Sequence, residues 1–280
     1  MNKSKNMSAE EREFLENYDI TIYDRPSVTA DIAIFTIRND ESENYRRDAQ
    51  KHLSVLLIKR GEYPYKNCWA FPGGFLKIDE TIEQCVMRET IEETGITPSS
   101  IVPIGVFSDI DRDPRGRIIS NAFASIITEN LENIIGGDDA VQASWFDVSF
   151  DKTDNGIYNL TLKNSQTTIC TQLREISSKF EQFRYVIEGG ESLAFDHSAI
   201  LASALSALKK YAENFEVVFD FLPEKFTLTQ MMCVQETLLN ASQLSANFRR
   251  KVAAYVEETD EYVTGVGHRP AKLYKKRITN

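Results

Sequence analysis

The chain has 280 residues, 42% apolar and 26% charged, the balance of an ordinary globular protein of one or two domains. A polar N-terminus, no apolar run near the roughly 18 residues of a membrane span, and four scattered cysteines without a CxxC pair exclude membrane and disulfide-scaffold classes and predict a cytoplasmic protein. The net charge of −10 is unevenly spread: residues 224–280 carry nine basic against six acidic side chains, the first 223 carry 23 against 36, and only the C-terminal part suits an anionic partner.

Residues 1–20 read as a polar arm with a short helix opened by the pair Ser8 and Glu11. Ser27 to Ile37 and Leu53 to Lys59 are rich in β-branched residues and predict strands, joined by a polar loop over 38–51. A turn-rich segment with Gly61, Pro64 and Asn67 leads to Pro72-Gly73-Gly74, where bare backbone approaches the next element and a carbonyl can act as a ligand. Thr81 and Gln84 form a capping-box pair, so a helix is predicted from Ile82, ending near Thr94 before Gly95. On that helix Glu89, Glu92 and Glu93 fall within an arc of roughly 100°. They continue the apolar stripe of Ile82, Cys85 and Val86. Glu89 and Glu93 are also a like-charged i, i+4 pair, which weakens a helix by a few tenths of a kcal/mol. A hard divalent cation offsets that repulsion, Mg²⁺ first and Mn²⁺ as the alternative, bound by carboxylates and substrate phosphates. The competing reading is an amphipathic helix whose glutamates are simply solvated.

The spacing Gly74, Glu80, Arg88-Glu89, Glu92-Glu93 and Gly95-Ile96, eight positions within 23 residues, resembles the Nudix box of the Nudix hydrolase family. Thr90 departs from it, standing where the box usually has an aliphatic residue, and is read as a packing variation beside Val86. The resemblance implies an α/β Nudix sandwich, a mixed sheet with helices. It implies a metal held by Gly74, Glu89, Glu92 and Glu93, and a catalytic set of Arg88, Glu89, Glu92 and Glu93. Arg88 would orient the glutamates by pairing with Glu80 or Glu89. The general base would be Glu93 or Glu92, with Asp138 or Asp139 as alternatives.

Strands are predicted at Val102 to Phe107, Arg117 to Thr128 and Gln142 to Val148. The first two are joined by Ser-Asp-Ile-Asp-Arg-Asp-Pro-Arg-Gly, residues 108–116. Asp, Pro and Gly explain a turn. Arg112, Arg115 and Arg117 within six residues point instead to phosphate contact, and the segment is similar to one in Nudix proteins that handle ADP-ribose. Further on, Tyr158 to Leu162 and Arg184 to Ile187 read as strands around a polar helix near Thr171 to Phe180.

Phe195 to Tyr211 reads as a helix joining two domains, with Asp196 or Ser198 near its start. Thr227 to Asn240 reads as a helix, followed by a tight turn and a second helix over Ala246 to Val256 capped by Ser245. On the second helix Phe248, Val252, Tyr255 and Val256 share an apolar face, with Asn247, Arg250 and Lys251 opposite and Arg249 flanking. Two short helices with a basic outer face make a helix-turn-helix pattern. Tyr262 to Thr264 and Ala271 to Lys275 bracket a basic tip and read as a wing, where Arg269, Lys272 and Lys275 suit phosphate contact. The competing reading is a helical protein-interaction module with a solvated basic tail.

Phe226-Thr-Leu-Thr, Asn247-Phe-Arg-Arg-Lys251 and Arg269-Pro-Ala-Lys-Leu-Tyr274, downstream of a Nudix box, resemble the NrtR type of Nudix-related transcriptional regulators. The organisation this implies is an arm over 1–20, a Nudix domain over 21–195, a connecting helix and linker over 196–222 and a small winged helix-turn-helix domain over 223–280. The implied partners are an ADP-ribose-like nucleotide and duplex operator DNA, with the chain as a homodimer. The alternative is a Mg-dependent Nudix hydrolase whose C-terminal domain only mediates dimerisation or protein interaction.

Overall fold

The computed structural model describes residues 7–39, 51–128, 140–177, 183–263 and 270–278. The expected loop around 40–50, Asp138 and Asp139, and the wing tip with Arg269 lie outside the described residues. Helix α1 (Ala9–Glu16) opens as expected, the Ser8 hydroxyl accepting from the Glu11 N–H at 3.1 Å. Strands β1 (Ser27–Asn39), β2 (Lys51–Arg60), β3 (Trp69–Ala70) and β4 (Gly73–Phe75) precede α2 (Ile82–Thr94). Then follow β5 (Val102–Phe107), β6 (Ile118–Ile126), β7 (Ala140–Lys152), β8 (Ile157–Lys163), β9 (Thr168–Ser177) and β10 (Arg184–Gly190). Helix α3 (His197–Glu213) leads to α4 (Leu228–Leu239), α5 (Ser245–Val252), β11 (Val256–Val263) and β12 (Ala271–Lys276).

The first ten strands form one sheet in the order β10-β9-β8-β7-β2-β1-β6-β5, with β3 on β2 and β4 on β1. The β1–β6 pair is parallel and its neighbours antiparallel, so the sheet is mixed. Strand alternation distributes its two apolar faces. Ala30, Ile32 and Ile34 of β1 with Leu56 of β2 pack on Cys85 and Val86 of α2. Ala33 and Phe35 of β1 with Val55 and Leu57 of β2 join the core containing Ile200, Leu201 and Leu205 of α3. The sheet is therefore a sandwich filling between α2 and α3. No helix of the described residues is long and apolar enough to cross a membrane.

The polar helix expected near Thr171 to Phe180 is not formed over its described part, where β9 pairs with both β8 and β10. Ile169, Thr171 and Leu173 are buried with exposed residues between them, a period of two. Thr171 obscured that period because it is polar, yet its hydroxyl is satisfied inside by the Glu191 carbonyl and Ser198.

The apolar core runs on from α3 into the C-terminal helices through Phe215, Phe221, Phe226, Met231, Val234, Phe248 and Val252. Thr227 and Gln230 cap α4 reciprocally, and Asn240 ends it in the left-handed region at φ 50°. The last helix is shorter than expected. Leu244 occupies its N-cap and Ser245 is already helical, so Ser245 is not the cap. Val252 is its last residue, because Val256 is needed as the buried first residue of β11. Strands β11 and β12 form the wing, and Phe226 exchanges both backbone bonds with Tyr274 at 3.0 and 2.8 Å.

Candidate functional site

A cleft of about 410 Å³ opens where α2, β4, the loop after β5 and the head of α3 converge. Its walls include Gly74, Glu89 and Glu93 from the box and Arg112 and Arg115 from the loop. Helix α2 is set by the reciprocal Thr81–Gln84 capping box and by Gly95 at φ 72°. Thr90 is buried and its hydroxyl donates to the Val86 carbonyl at 2.6 Å, so the departure from the box is a packing matter.

Arg88 holds the carboxylates in register. It donates to both Glu80 oxygens at 2.9 and 2.7 Å, to Glu89 at 2.6 Å and to Glu92 at 3.2 Å, so the expected pairings with Glu80 and with Glu89 coexist. The Arg88 hydrogen bonds hold the Glu80 carboxyl down at about 2. Glu93 has the opposite environment. Burial pushes its carboxyl up to about 8, opposed by the Gly73 N–H that donates to it at 2.8 Å and reinforced by the negative Glu89 and Asp31. Glu92 turns outward, with its side chain 57% exposed, and is not on the cleft wall.

The donor set fits a hard divalent cation. A Cβ at Gly74 would come within 2.4 Å of the Glu89 carboxylate, so glycine at this position keeps open the space between backbone and carboxylate. Glu89 and Glu93 supply charged oxygens and the strand backbone a neutral one, the ligand chemistry of Mg²⁺ and its like. Among the described residues no three His, Cys, Asp or Glu side chains form a ready cage. An ion held by two carboxylates and a backbone carbonyl would keep coordination positions for water and phosphate, as Mg²⁺ usually does.

The three loop arginines separate. Arg115 faces the cleft, gripped by the buried Asp113 through Nε at 3.0 Å and Nη2 at 2.7 Å, with its guanidinium over Phe75 and Phe195. Arg112 lines the wall but is buried and paired with both Asp196 oxygens at 2.9 and 2.6 Å. Arg117 is not on the wall and donates to the Ser108 and Asp109 carbonyls, bracing the loop.

Asp31, Arg60, Phe195 and His197 are among the cleft residues that escaped sequence reasoning. Asp31 is buried within β1, accepts a short hydrogen bond from Ser120 and stands beside Gly73. A charge in the middle of an apolar strand was the available signal. Arg60 ends β2 and lies 5.0 Å from the Phe195 ring centroid. His197 is buried and accepts from the Phe71 N–H at 3.0 Å, and burial lowers its pKa, keeping it neutral. Nothing local in the sequence marked Arg60, Phe195 or His197.

At the other end of the chain, α5 buries Phe248 and Val252 and exposes Asn247, Arg249, Arg250 and Lys251. Arg250 donates to Asn247 at 3.5 Å. In the wing, Lys272 pairs with Glu258 and Lys275 with Glu257, the latter at 3.1 Å.

The box geometry, the mixed sandwich and the sequence relationships agree, and the chain belongs to the Nudix family. Residues 34–152 match the NUDIX domain and residues 218–275 the NrtR DNA-binding winged helix domain. A MutT/nudix family protein from Enterococcus faecalis superposes with a TM-score of 0.74 at 30% identity, covering 98% of this chain and 95% of that one. The "ADPR responsive transcriptional repressor NtrR" of Acinetobacter baylyi is 27% identical over 269 residues, 95% of this chain and 88% of that protein. The ADP-ribose pyrophosphatase of Methanocaldococcus jannaschii is 46% identical over 101 residues, 36% of this chain and 58% of that enzyme.

Proposed function

We propose that the chain is a ligand-responsive transcriptional regulator whose Nudix domain binds, and hydrolyses, ADP-ribose or a similar nucleoside diphosphate sugar, and whose winged helix binds operator DNA. The observation that carries this reading is the presence, in one chain, of Arg88-braced glutamates in a cleft and an exposed cationic face on α5. The Acinetobacter relative, named for its response to ADPR and aligned with nearly the whole chain, supports it. The two half-sites that helix-turn-helix proteins usually read add a homodimer.

A divalent cation, Mg²⁺ in preference to Mn²⁺, would be held by Glu89, Glu93 and the Gly74 backbone and would supply Lewis-acid neutralisation of the pyrophosphate. Arg88 aims the Glu89 carboxylate by pairing with it from the preceding residue. Glu93, half-buried on the cleft wall, takes the proton of the attacking water. Arg115 presents its guanidinium to phosphate while Asp113 fixes its orientation. Glu92 contributes from outside the cleft through Arg88. The test is release of AMP from ADP-ribose with Mg²⁺. If calorimetry shows binding but no AMP appears, the domain is a sensor only. If no binding is seen, the ligand assignment is wrong.

Arg115→Ala should weaken ADP-ribose binding by about 1 kcal/mol or more, the scale of a charge-assisted hydrogen bond. Calorimetry with unchanged affinity would leave the loop as a turn. Arg112→Ala is the weaker probe, because it also breaks the buried pair with Asp196.

One observation favours a second reading, a Nudix hydrolase with a C-terminal interaction module: the wing lysines are paired with glutamates of β11. These pairs are exposed, and such pairs contribute only about 0–1 kcal/mol, so DNA phosphates can replace the glutamates. Lys275→Ala should then weaken binding to all duplexes alike and reduce the salt slope by about one. A fluorescence titration with an unchanged slope would remove the wing from the DNA contact.

A further inference from the structure

We propose that Phe195 and Asp196, at the head of α3, sense occupancy of the nucleotide cleft, and that Gln235, at the tail of α3, passes the change to α5. The proposal rests on the ligand-responsive reading above and supplies its route.

Three consecutive residues tie the head of α3 to the cleft. The Phe195 ring lies 5.0 Å from the Arg60 guanidinium, 5.5 Å from that of Arg115 and 4.8 Å from the Tyr65 ring. Asp196 grips Arg112 of the ligand loop with both oxygens. Its carboxylate is thereby used outside the helix, which explains why this N-cap position makes no side-chain capping bond. His197 accepts from the Phe71 N–H and stacks on the Phe71 ring at 5.1 Å. Phe195 also sits at φ 56°, in the left-handed region. A bulky residue there carries strain that surrounding contacts must sustain, and such strain clusters at switch and ligand sites.

Helix α3 has 17 residues, about 25 Å at ~1.5 Å per residue. It is buried along most of its length between the sheet and the C-terminal helices, so it moves as a body. At its tail the Ala212 carbonyl accepts from Nε2 of the buried Gln235 at 2.8 Å. Oε1 of Gln235 accepts from Gln243 at 2.8 Å, and Gln243 directly precedes Leu244, the N-cap of α5. One amide side chain thus joins the end of the connecting helix to the start of the basic helix.

The physical sequence follows from charge. Arg60 and Arg115 are two like-charged groups that share one aromatic ring. A pyrophosphate entering the cleft draws both guanidiniums toward its oxygens and off the Phe195 ring. That removes two of the contacts holding Phe195 in its strained conformation, and the adjacent Asp196–Arg112 pair transmits the shift to α3. Small displacements at an effector site become rigid-body movements of packed helices in this way.

The test is amide hydrogen exchange on the full chain with and without ADP-ribose, in EDTA so that the ligand is not consumed, with saturation checked by calorimetry. Wild type should change its exchange in α4 and α5 by at least about fivefold, the low end of an allosteric coupling. Gln235→Met, which lies outside the cleft, should bind ADP-ribose with unchanged affinity and lose that response. Asp196→Asn gives a second reading of the same coupling from the other end of α3, should the methionine variant not fold. A saturated wild type with silent α4 and α5, or variants that respond like wild type, would overturn the coupling and leave the regulator reading standing. A wild type that binds ADP-ribose neither in EDTA nor with Mg²⁺ would overturn both.

Discussion

Glu93→Gln is expected to lower turnover of ADP-ribose by at least about a hundredfold, the scale of a lost general base. The substitution is isosteric, and the glutamine oxygen can still accept from the Gly73 N–H that Glu93 now occupies. What disappears is the charge. Burial pushes the Glu93 carboxyl up to about 8, so near neutral pH the metal-free cleft holds it largely protonated. A divalent cation beside it favours the ionised form. Activity should therefore depend on metal and on Glu93 jointly, and the glutamine variant should fold while releasing little AMP. Undiminished release would move the base to Glu92, or to Asp138 or Asp139.

Arg250→Ala should lower affinity for the specific operator by about 1–3 kcal/mol while leaving non-specific binding nearly unchanged. Arg250 and Asn247 project from the exposed side of α5, Asn247 in its first turn and Arg250 in its last, on the face a recognition helix turns to base edges. Arg249 and Lys251, exposed on the same short helix, are expected to meet phosphates, which position a protein without specifying sequence. The apolar face of the helix is Phe248 and Val252, both buried, so truncating Arg250 does not disturb the packing. Competition binding against random DNA separates the cases. An equal loss on both DNAs would make Arg250 a phosphate contact and remove the base-reading role from this position.

What was legible in the sequence was local. The capping pairs at Ser8 and Thr81, the box spacing on and before α2 and the basic face of α5 each depend on residues close in the chain, and all are found in the fold. Glu92 shows the limit of helical arithmetic. The same arc that placed it with Glu89 and Glu93 puts it at the edge, where Arg88 turns it outward. Strand β9 was misread because its buried Thr171 masked a period of two. On the far wall of the cleft only Asp31, a charge within an apolar strand, left a local mark. Asp31, Arg60, Phe195 and His197 meet only because β1, β2 and the head of α3 are brought together across the sandwich, and no spacing in the chain encodes that meeting.

The most direct test of the regulator reading is the affinity of the purified protein for the DNA upstream of its own gene, measured by fluorescence anisotropy with and without ADP-ribose. Specific binding that exceeds binding to random duplex, and that shifts by at least about fivefold on saturation with the ligand, is the predicted result. Equal binding to specific and random DNA at low salt, or an affinity that ADP-ribose leaves unchanged, would contradict it.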